Sequence, residues 1–463
     1  MSMQWGLPDP PEKELLPLPP VWIYVVAFVV FLLGAALMAL VSWQKETPTM
    51  SVKFFSDIFF FPGLLCAFFC TMLYYMCEFE RLKAAVWNIE RGYYFFLQQR
   101  WARQTLAILG SSSITPEVEL AERMLGLEGS MPMNPDKAMV LPDIGAAVGG
   151  SRLQKVLETL LTPLVGIISS VTPNGTFDIA MQSPKAEDSV ELQRVWGKVK
   201  LPGTPEIVWS AYDSAFPAAD WIDSKQLPDF RLVIAWQLHE PGQDHTFSEA
   251  ATALLLANPK ALDRWKGKLK PQAHLYRPIV AESDAIGAGL TNLLKGQQTP
   301  IDRIKYFWLS RLNRLTRHAS KEAIKDSGLL TVEHDLDHAI GKPGPVNTWL
   351  LQALAAEMSQ HGQGAQLVAV SDGKGVSFNL ISSAPTPVPV SRDERISNFR
   401  VSIPLTVFFM ASAAFYICLP DPRVSGMDRL VIFIMCVAVL AFSTYGGYLG
   451  RRRIERAFWT RYG

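Results

Sequence analysis

The residues best equipped for chemistry sit in two short polar runs. The first is His239-Glu-Pro-Gly-Gln-Asp244-His245, with Glu249 just beyond it. It follows an apolar run at 231–236 that reads as a strand. Reacting groups in α/β sheets gather outside the carboxyl ends of strands. A histidine there serves as general acid or base near neutral pH. His239, Asp244, His245 and Glu249 are therefore the candidate catalytic residues. A polar connecting loop explains the same run without any chemistry.

The second run is Glu333-His-Asp-Leu-Asp-His338. On a helix, His334 and His338 share a face at the spacing of zinc-binding helices, which makes them metal candidates. The general-base glutamate of H-E-x-x-H is missing, so a solvated helix start is the plainer reading. No metal or other cofactor is expected. All five cysteines (Cys66, Cys70, Cys77, Cys418 and Cys436) lie in or at the end of apolar runs. The middle of the chain therefore has no disulfide, no thiolate metal site and no cysteine nucleophile. Phosphate loops of the G-x-x-x-x-G-K-[ST] kind, a G-x-G-x-x-G after a strand, and the G-x-S-x-G elbow are all absent.

The elements that must hold these residues alternate. Strands are expected at 231–236, 273–280, 366–370 and 376–381, the last two flanking the hairpin signal Ser371-Asp-Gly-Lys-Gly375. Helices are expected at 247–257, 284–295, 301–315 and 346–360, which places Glu249 on a helix. Earlier helices start at Thr115-Pro116 and at Ser151. This alternation predicts a mixed α/β domain over 80–383 with no internal repeat.

Apolar runs at 21–41, 58–77, 401–419 and 430–449 are each long enough to cross a bilayer. The first is too long for a secretory signal and follows acidic residues. The expected organisation is a tail at 1–20, a membrane hairpin at 21–79 and the α/β domain at 80–383. A Pro-rich linker at 384–400, a second hairpin at 401–450 and a basic tail at 451–463 follow. That makes four transmembrane helices, two at each end of an α/β soluble domain.

Residues 81–104 read as a helix leaving the membrane, weakened by Gly92. The span interiors carry no ionisable residue, so they read as anchors rather than an ion pathway. Gly446 and Gly450 form a G-x-x-x-G helix-packing seam.

Charge sets the orientation. On the domain side lie Arg81, Lys83, Arg392, Arg395, Arg451, Arg452 and Arg453, among others. The opposite loops offer only Lys45, Lys53, Arg423 and Arg429. Lys and Arg favour the cytoplasmic face, so the central domain and both termini are expected in the cytoplasm. The basic rim suits anionic headgroups. A formal net charge of +1 gives no reason to expect a nucleic-acid partner. The oligomeric state stays open.

Two resemblances attach to quoted segments. Phe247-Ser-Glu-Ala-Ala-Thr-Ala-Leu-Leu-Leu-Ala257 resembles the part of thiolase-fold ketosynthases in which a small-residue helix or strand follows a polar turn. Those enzymes use a cysteine nucleophile and paired histidines. Without a cysteine, the resemblance implies a scaffold that has lost condensing chemistry. The second covers most of the chain. Its segments are Trp87-Asn-Ile-Glu-Arg91, Trp101-Ala-Arg-Gln104, Arg123-Met-Leu-Gly-Leu-Glu-Gly129, Trp236-Gln-Leu-His239 and Ser248-Glu-Ala-Ala251, set between terminal hairpins. It is similar to inner-membrane proteins found with type VI secretion effector genes in Gram-negative bacteria.

That likeness implies a multi-pass place in a bacterial inner membrane and an accessory or immunity-like role, and carries over no functional residue. The expected function is a membrane-anchored cytoplasmic interaction protein, its partner a secretion effector or apparatus component. The alternative is a membrane-associated enzyme acting on lipid or acyl substrates through the 239–249 residues. A transporter has the least support.

Overall fold

A computed structural model describes residues 3–42, 58–59, 61–142, 150–212, 214–224, 226–240, 242, 245–265, 267–373, 375–387, 407–408, 411 and 426–463. Along the chain these form α1 (Val21–Ser42), α2 (Phe61–Ala102), β1 (Thr105–Ile114), α3 (Leu120–Met124), α4 (Arg152–Leu161), α5 (Val165–Val171) and β2 (Phe177–Gln182). Next come α6 (Asp188–Lys198), β3 (Glu206–Ser210), α7 (Ala218–Asp223), β4 (Phe230–Gln237), β5 (Ala250–Ala257), α8 (Pro259–Arg264), β6 (Ala273–Tyr276) and β7 (Ile279–Glu282). The rest are α9 (Ile286–Lys295), β8 (Ile304–Ser310), α10 (Arg314–Asp326), β9 (Val332–Asp335), α11 (Leu336–Ile340), α12 (Asn347–Gln360), β10 (Ala365–Ser371), β11 (Gly375–Ser382) and α13 (Gly426–Tyr462). They group into two compact units, Leu7–Phe96 with Val390–Gly463, and Leu97–Pro389 with Met3–Gly6.

The second unit is a mixed α/β domain built on one sheet of order β3-β2-β4-β5-β1-β6-β11-β10-β8-β9, with β7 also paired to β11. The order conceals a duplication. From β1 to β5 the strands lie third-second-fourth-fifth-first, and from β6 to β11 the same order recurs if β6 and β7 count as one broken strand. The directions match as well. β3, β2 and β4 are parallel with β5 reversed; β9, β8 and β10 are parallel with β11 reversed. The antiparallel pair β1–β6 joins the halves. The sequence shows no repeat because only topology is shared, not residues.

Three apolar cores separate the layers. One lies on the outer face of the first half under α4 and α6, and one under α9 and α10 of the second half. The third lies between the halves around α12, which is buried over almost its whole length. Strand β5 illustrates the period of two that such a sheet demands. Ala250, Leu254 and Leu256 enter the central core, while Ala251, Ala253, Leu255 and Ala257 enter the outer one.

Several expected elements change type. Residues 247–257 carry strand β5, not a helix. Burial on both faces removes the polar alternation that marks a strand, and periodicity then cannot separate strand from helix. Residues 301–315 contain strand β8. The spacing of Ile301, Ile304, Trp308, Leu312 and Leu315 mimics a helix, but Tyr306-Phe-Trp308 favours a sheet and pairs with β10 and β9. The strand expected at 273–280 breaks into β6 and β7. The hairpin around residue 373 forms, with Ser371 opposite Val376.

In the first unit, α1 is an uncharged apolar helix with none of its Val21–Met38 stretch buried. Among the described residues it alone meets the length and composition of a membrane span, so the expected count of four is not supported. The second expected run begins a helix that continues without a break into charged sequence as far as Ala102, Gly92 notwithstanding. The fourth lies in α13, which runs on through Arg451–Arg453. The third, apart from Val407, Phe408 and Ala411, lies outside the described residues.

The proline-rich N-terminal segment lies along α2. Its carbonyls accept from Tyr94 (Pro8, 3.2 Å), Arg91 (Pro10, 2.9 Å) and Trp87 (Pro11, 2.8 Å). Trp87 and Tyr94 also pack against Phe458 of α13.

Candidate functional site

The connection between β4 and β5, residues 238–249, carries the predicted site; its counterpart between β10 and β11 is only 372–374. His239 follows the end of β4 and Glu249 precedes β5, so the antiparallel pairing brings them together. Glu249 is 0% exposed. Its carboxylate accepts both Arg152 Nη atoms at 2.6 Å and the backbone N–H groups of Leu141 and His239 at 2.8 Å each. Burial pushes this carboxyl up, but the Arg152 guanidinium and the two amides outweigh burial and hold it below the usual carboxylate range.

His239 Nε2 lies 2.6 Å from the Phe247 carbonyl, which only accepts, so Nε2 carries the proton. Its Nδ1 is 3.6 Å from Glu249 Oε1 and has no hydrogen-bond partner. The His245 ring stacks on His239 with centroids 3.8 Å apart. The pair borders an open cavity of about 290 Å³ whose wall includes Tyr212. The Tyr212 hydroxyl donates to Trp236 O at 2.7 Å, and burial raises its pKa. Three of the four predicted residues thus converge. Asp244, the fourth, lies outside the described residues.

A second polar group, missed in the sequence, links the two halves. Gln237 Nε2 donates to Ser248 O (2.6 Å) and Asn347 Oδ1 (3.2 Å), while its Oε1 accepts from Val346 N (2.8 Å). Asn347 Nδ2 donates to Ser310 Oγ at 3.0 Å, and Ser310 Oγ donates to Asp337. Gln237, Asn347 and Ser310 are fully buried. Arg317 bridges Asp335 (2.8 Å) and Asp337 (3.1 Å). Burial and the Asp335 charge raise the Asp337 carboxyl pKa against the pull of Ser310, the Arg311 amide and Arg317. These residues lie far apart in sequence, and only the duplicated topology brings the ends of β4 and β8 to the start of α12.

His334 and His338 do not share a helix face. His334 is on β9, buried between the rings of Tyr306 and Trp308, with neither ring nitrogen bonded, and burial lowers its pKa to about 4. His338 is on α11 and bonds Asp335 at 2.9 Å. Among the described residues no three His, Cys, Asp or Glu side chains form a metal-binding group.

The basic residues expected at the membrane face lie on helices. Arg81 and Lys83 pair with Glu78 and Glu80, Arg451 pairs with Glu455, Arg452 lies over Tyr448, and Arg453 is exposed. Arg392 and Arg395 lie outside the described residues. Gly446 and Gly450 are both in α13. A Cβ on Gly450 would stand 3.4 Å from the Phe79 ring, a close helix approach.

No family model matches the chain, and no curated protein matches it. Solved structures of thiolase and ketosynthase type do. An oxazolomycin ketosynthase domain from Streptomyces albus aligns with a TM-score of 0.44 and 13% identity, over 62% of this chain and 98% of its own. A bacillaene ketosynthase from Bacillus amyloliquefaciens gives 0.43 and 12%, over 70% and 82%. Human mitochondrial 3-ketoacyl-CoA thiolase gives 0.36 and 8%, over 60% and 98%. These neighbours are of the thiolase type that the 247–257 segment resembles. At such scores and identities no residue role, substrate or reaction passes from them to this chain.

Proposed function

We propose that this chain is a membrane-anchored interaction protein whose α/β domain docks a protein partner rather than turning over a substrate. The observation that carries the reading is the state of Glu249. The carboxylate best placed for acid–base work is wholly buried and already accepts four donors, so it has neither access to a substrate nor capacity to exchange a proton with one. The absence of cysteine from residues 78–417 removes the thiolate nucleophile as well.

Anchoring is argued from α1 and from apolar residues exposed on α2 and α13, including Leu65, Phe68, Leu430 and Phe433. We read these, with the 401–419 run, as four spans, the basic residues beside them placing the domain and both termini in the cytoplasm. The resemblance to proteins found with type VI secretion effector genes makes a secretion effector or apparatus component the first partner to try.

One observation favours the second reading, an enzyme for lipid or acyl substrates: the stacked His239–His245 pair borders an open cavity. The full-length chain, reconstituted in vesicles of anionic phospholipid and supplied with acyl thioesters, separates the two. The interaction reading expects no hydrolysed or transferred acyl product. Product that disappears in the His239→Ala variant overturns it.

A further inference from the structure

Helices α7 and α12 hold equivalent places in the two halves, each followed by the fourth strand. They differ in length: α12 has 14 residues and α7 has six. The short α7 leaves part of the inner face of β2, β3 and β4 uncovered, and a cavity of about 180 Å³ opens there. Ala180, Val208 and Val233, one from each of these strands, form its apolar floor. Trp221 and Trp349 stack at 5.5 Å and 21° in its wall, and Phe216 meets Trp349 edge-on at 5.0 Å.

Two arginines line the same space, and their electrostatic states differ. Arg231 lies over Trp221 at 4.5 Å and is neutralised by both oxygens of Asp178, at 2.8 and 2.5 Å. Arg311 has no such partner. Its Nη1 donates to two neutral acceptors, Pro345 O at 3.3 Å and Thr348 Oγ1 at 3.2 Å, and among the described residues no carboxylate is ion-paired with it. The Asp337 carboxylate accepts the Arg311 backbone N–H at 2.9 Å and attracts the guanidinium from beyond ion-pair distance. Arg311 also holds a φ of +61°, a left-handed conformation that costs a side-chain-bearing residue energy and that recurs at functional sites.

A neutral polar side chain borders the same space. Gln182, 6% exposed, lines the cavity. Its Nε2 donates to the carbonyls of Ala211 (3.3 Å) and Tyr212 (3.4 Å), which fixes the amide orientation. Its Oε1 is left buried with no donor.

We propose that this cavity binds a small carboxylate with a flat apolar body, of the single-ring aromatic acid class. The carboxylate sits on the Arg311 fork and the ring lies against the Trp221–Trp349 wall. A planar guanidinium matches a carboxylate through two parallel hydrogen bonds. The size fits as well. A protein cavity of about 150 Å³ takes benzene, so this one takes a single ring with its charged group at the mouth. A nucleotide or a long acyl chain is too large. The site shares no residue with the His239–Glu249 cluster and stands independently of the partner-docking function.

The test is calorimetric titration of the full chain in nanodiscs with 4-hydroxybenzoate, toluene and inorganic phosphate. The expected result is one 4-hydroxybenzoate per chain, with toluene and phosphate each at least about tenfold weaker. Arg311→Gln and Trp221→Leu each weaken 4-hydroxybenzoate by about tenfold or more, and Arg311→Lys recovers part of the loss. Failure of wild type to bind 4-hydroxybenzoate overturns the proposal. So does phosphate binding as tightly, or binding unaffected by Arg311→Gln. The wild-type comparison of the three probes decides the matter even where a variant fails to fold.

Discussion

Gln237 and Asn347, 110 residues apart, share a fully buried 3.2 Å hydrogen bond that ties the first half of the domain to the start of the helix between the halves. The bond depends on Gly344, where a Cβ would overlap the Gln237 amide. Gly344→Ala therefore forces that amide out of place and strands Val346 N–H, at a cost of about 1–3 kcal/mol. Denaturant unfolding measures it. A loss below a few tenths of a kcal/mol would mean that the polar link carries no weight.

The Arg152–Glu249 pair gives a second expectation. Glu249 is wholly buried, so Arg152→Ala leaves its charge held by two backbone amides alone and costs about 3 kcal/mol. Replacing both residues with leucine removes the buried charge but strands the Leu141 and His239 N–H groups, so it recovers only part of that loss. A double-mutant cycle in urea reads the difference.

Acid stability follows from the buried histidines. Burial lowers His334 and His274 to about 4, while the unfolded chain takes up those protons near pH 6.5. Between these values the unfolded state binds more protons, so stability falls as the pH drops from about 6.5 to 4 and this contribution levels off below. Each group contributes on the order of 3 kcal/mol. His334→Phe fills the same space without the two unbonded nitrogens and flattens the profile in that window. An unchanged slope in pH-dependent melts refutes this.

The apolar helix α1 supplies the anchoring prediction. Val30→Arg and Leu33→Arg each place a charge near the middle of the span and cost about 2.5–3.5 kcal/mol of insertion. Glycosylation-mapped insertion of the 1–60 segment then fails, whereas Leu16→Arg, outside α1, leaves it intact. Insertion of the doubly substituted helix would mean that α1 is not read as a span.

Much of this was legible beforehand, for identifiable reasons. Elements with one solvated face, such as α4 with its Ser151 cap (3.1 Å to Gln154 N), or with tight turn chemistry, such as the 371–375 hairpin, announced themselves locally. Strands β5 and β8 did not, because burial on both faces erases the alternation a reader looks for. The His239–His245–Glu249 cluster was visible because its members sit within one loop. Arg152, its charge partner, lies 97 residues before Glu249, and the Gln237–Asn347–Ser310–Asp337 chain joins positions that nothing but the duplicated sheet relates. The Arg311 cavity was equally hidden, since it arises from a difference in length between two helices.

The most direct measurement of the central claim is in-membrane crosslinking of the full chain, wild type against His239→Ala/His245→Ala, with quantified recovery of the crosslinked partner. The interaction account predicts the same partner in the same yield from both proteins, and a loss of yield in Gly344→Ala, which disturbs the domain itself. Recovery of no specific partner from the wild-type protein would contradict it.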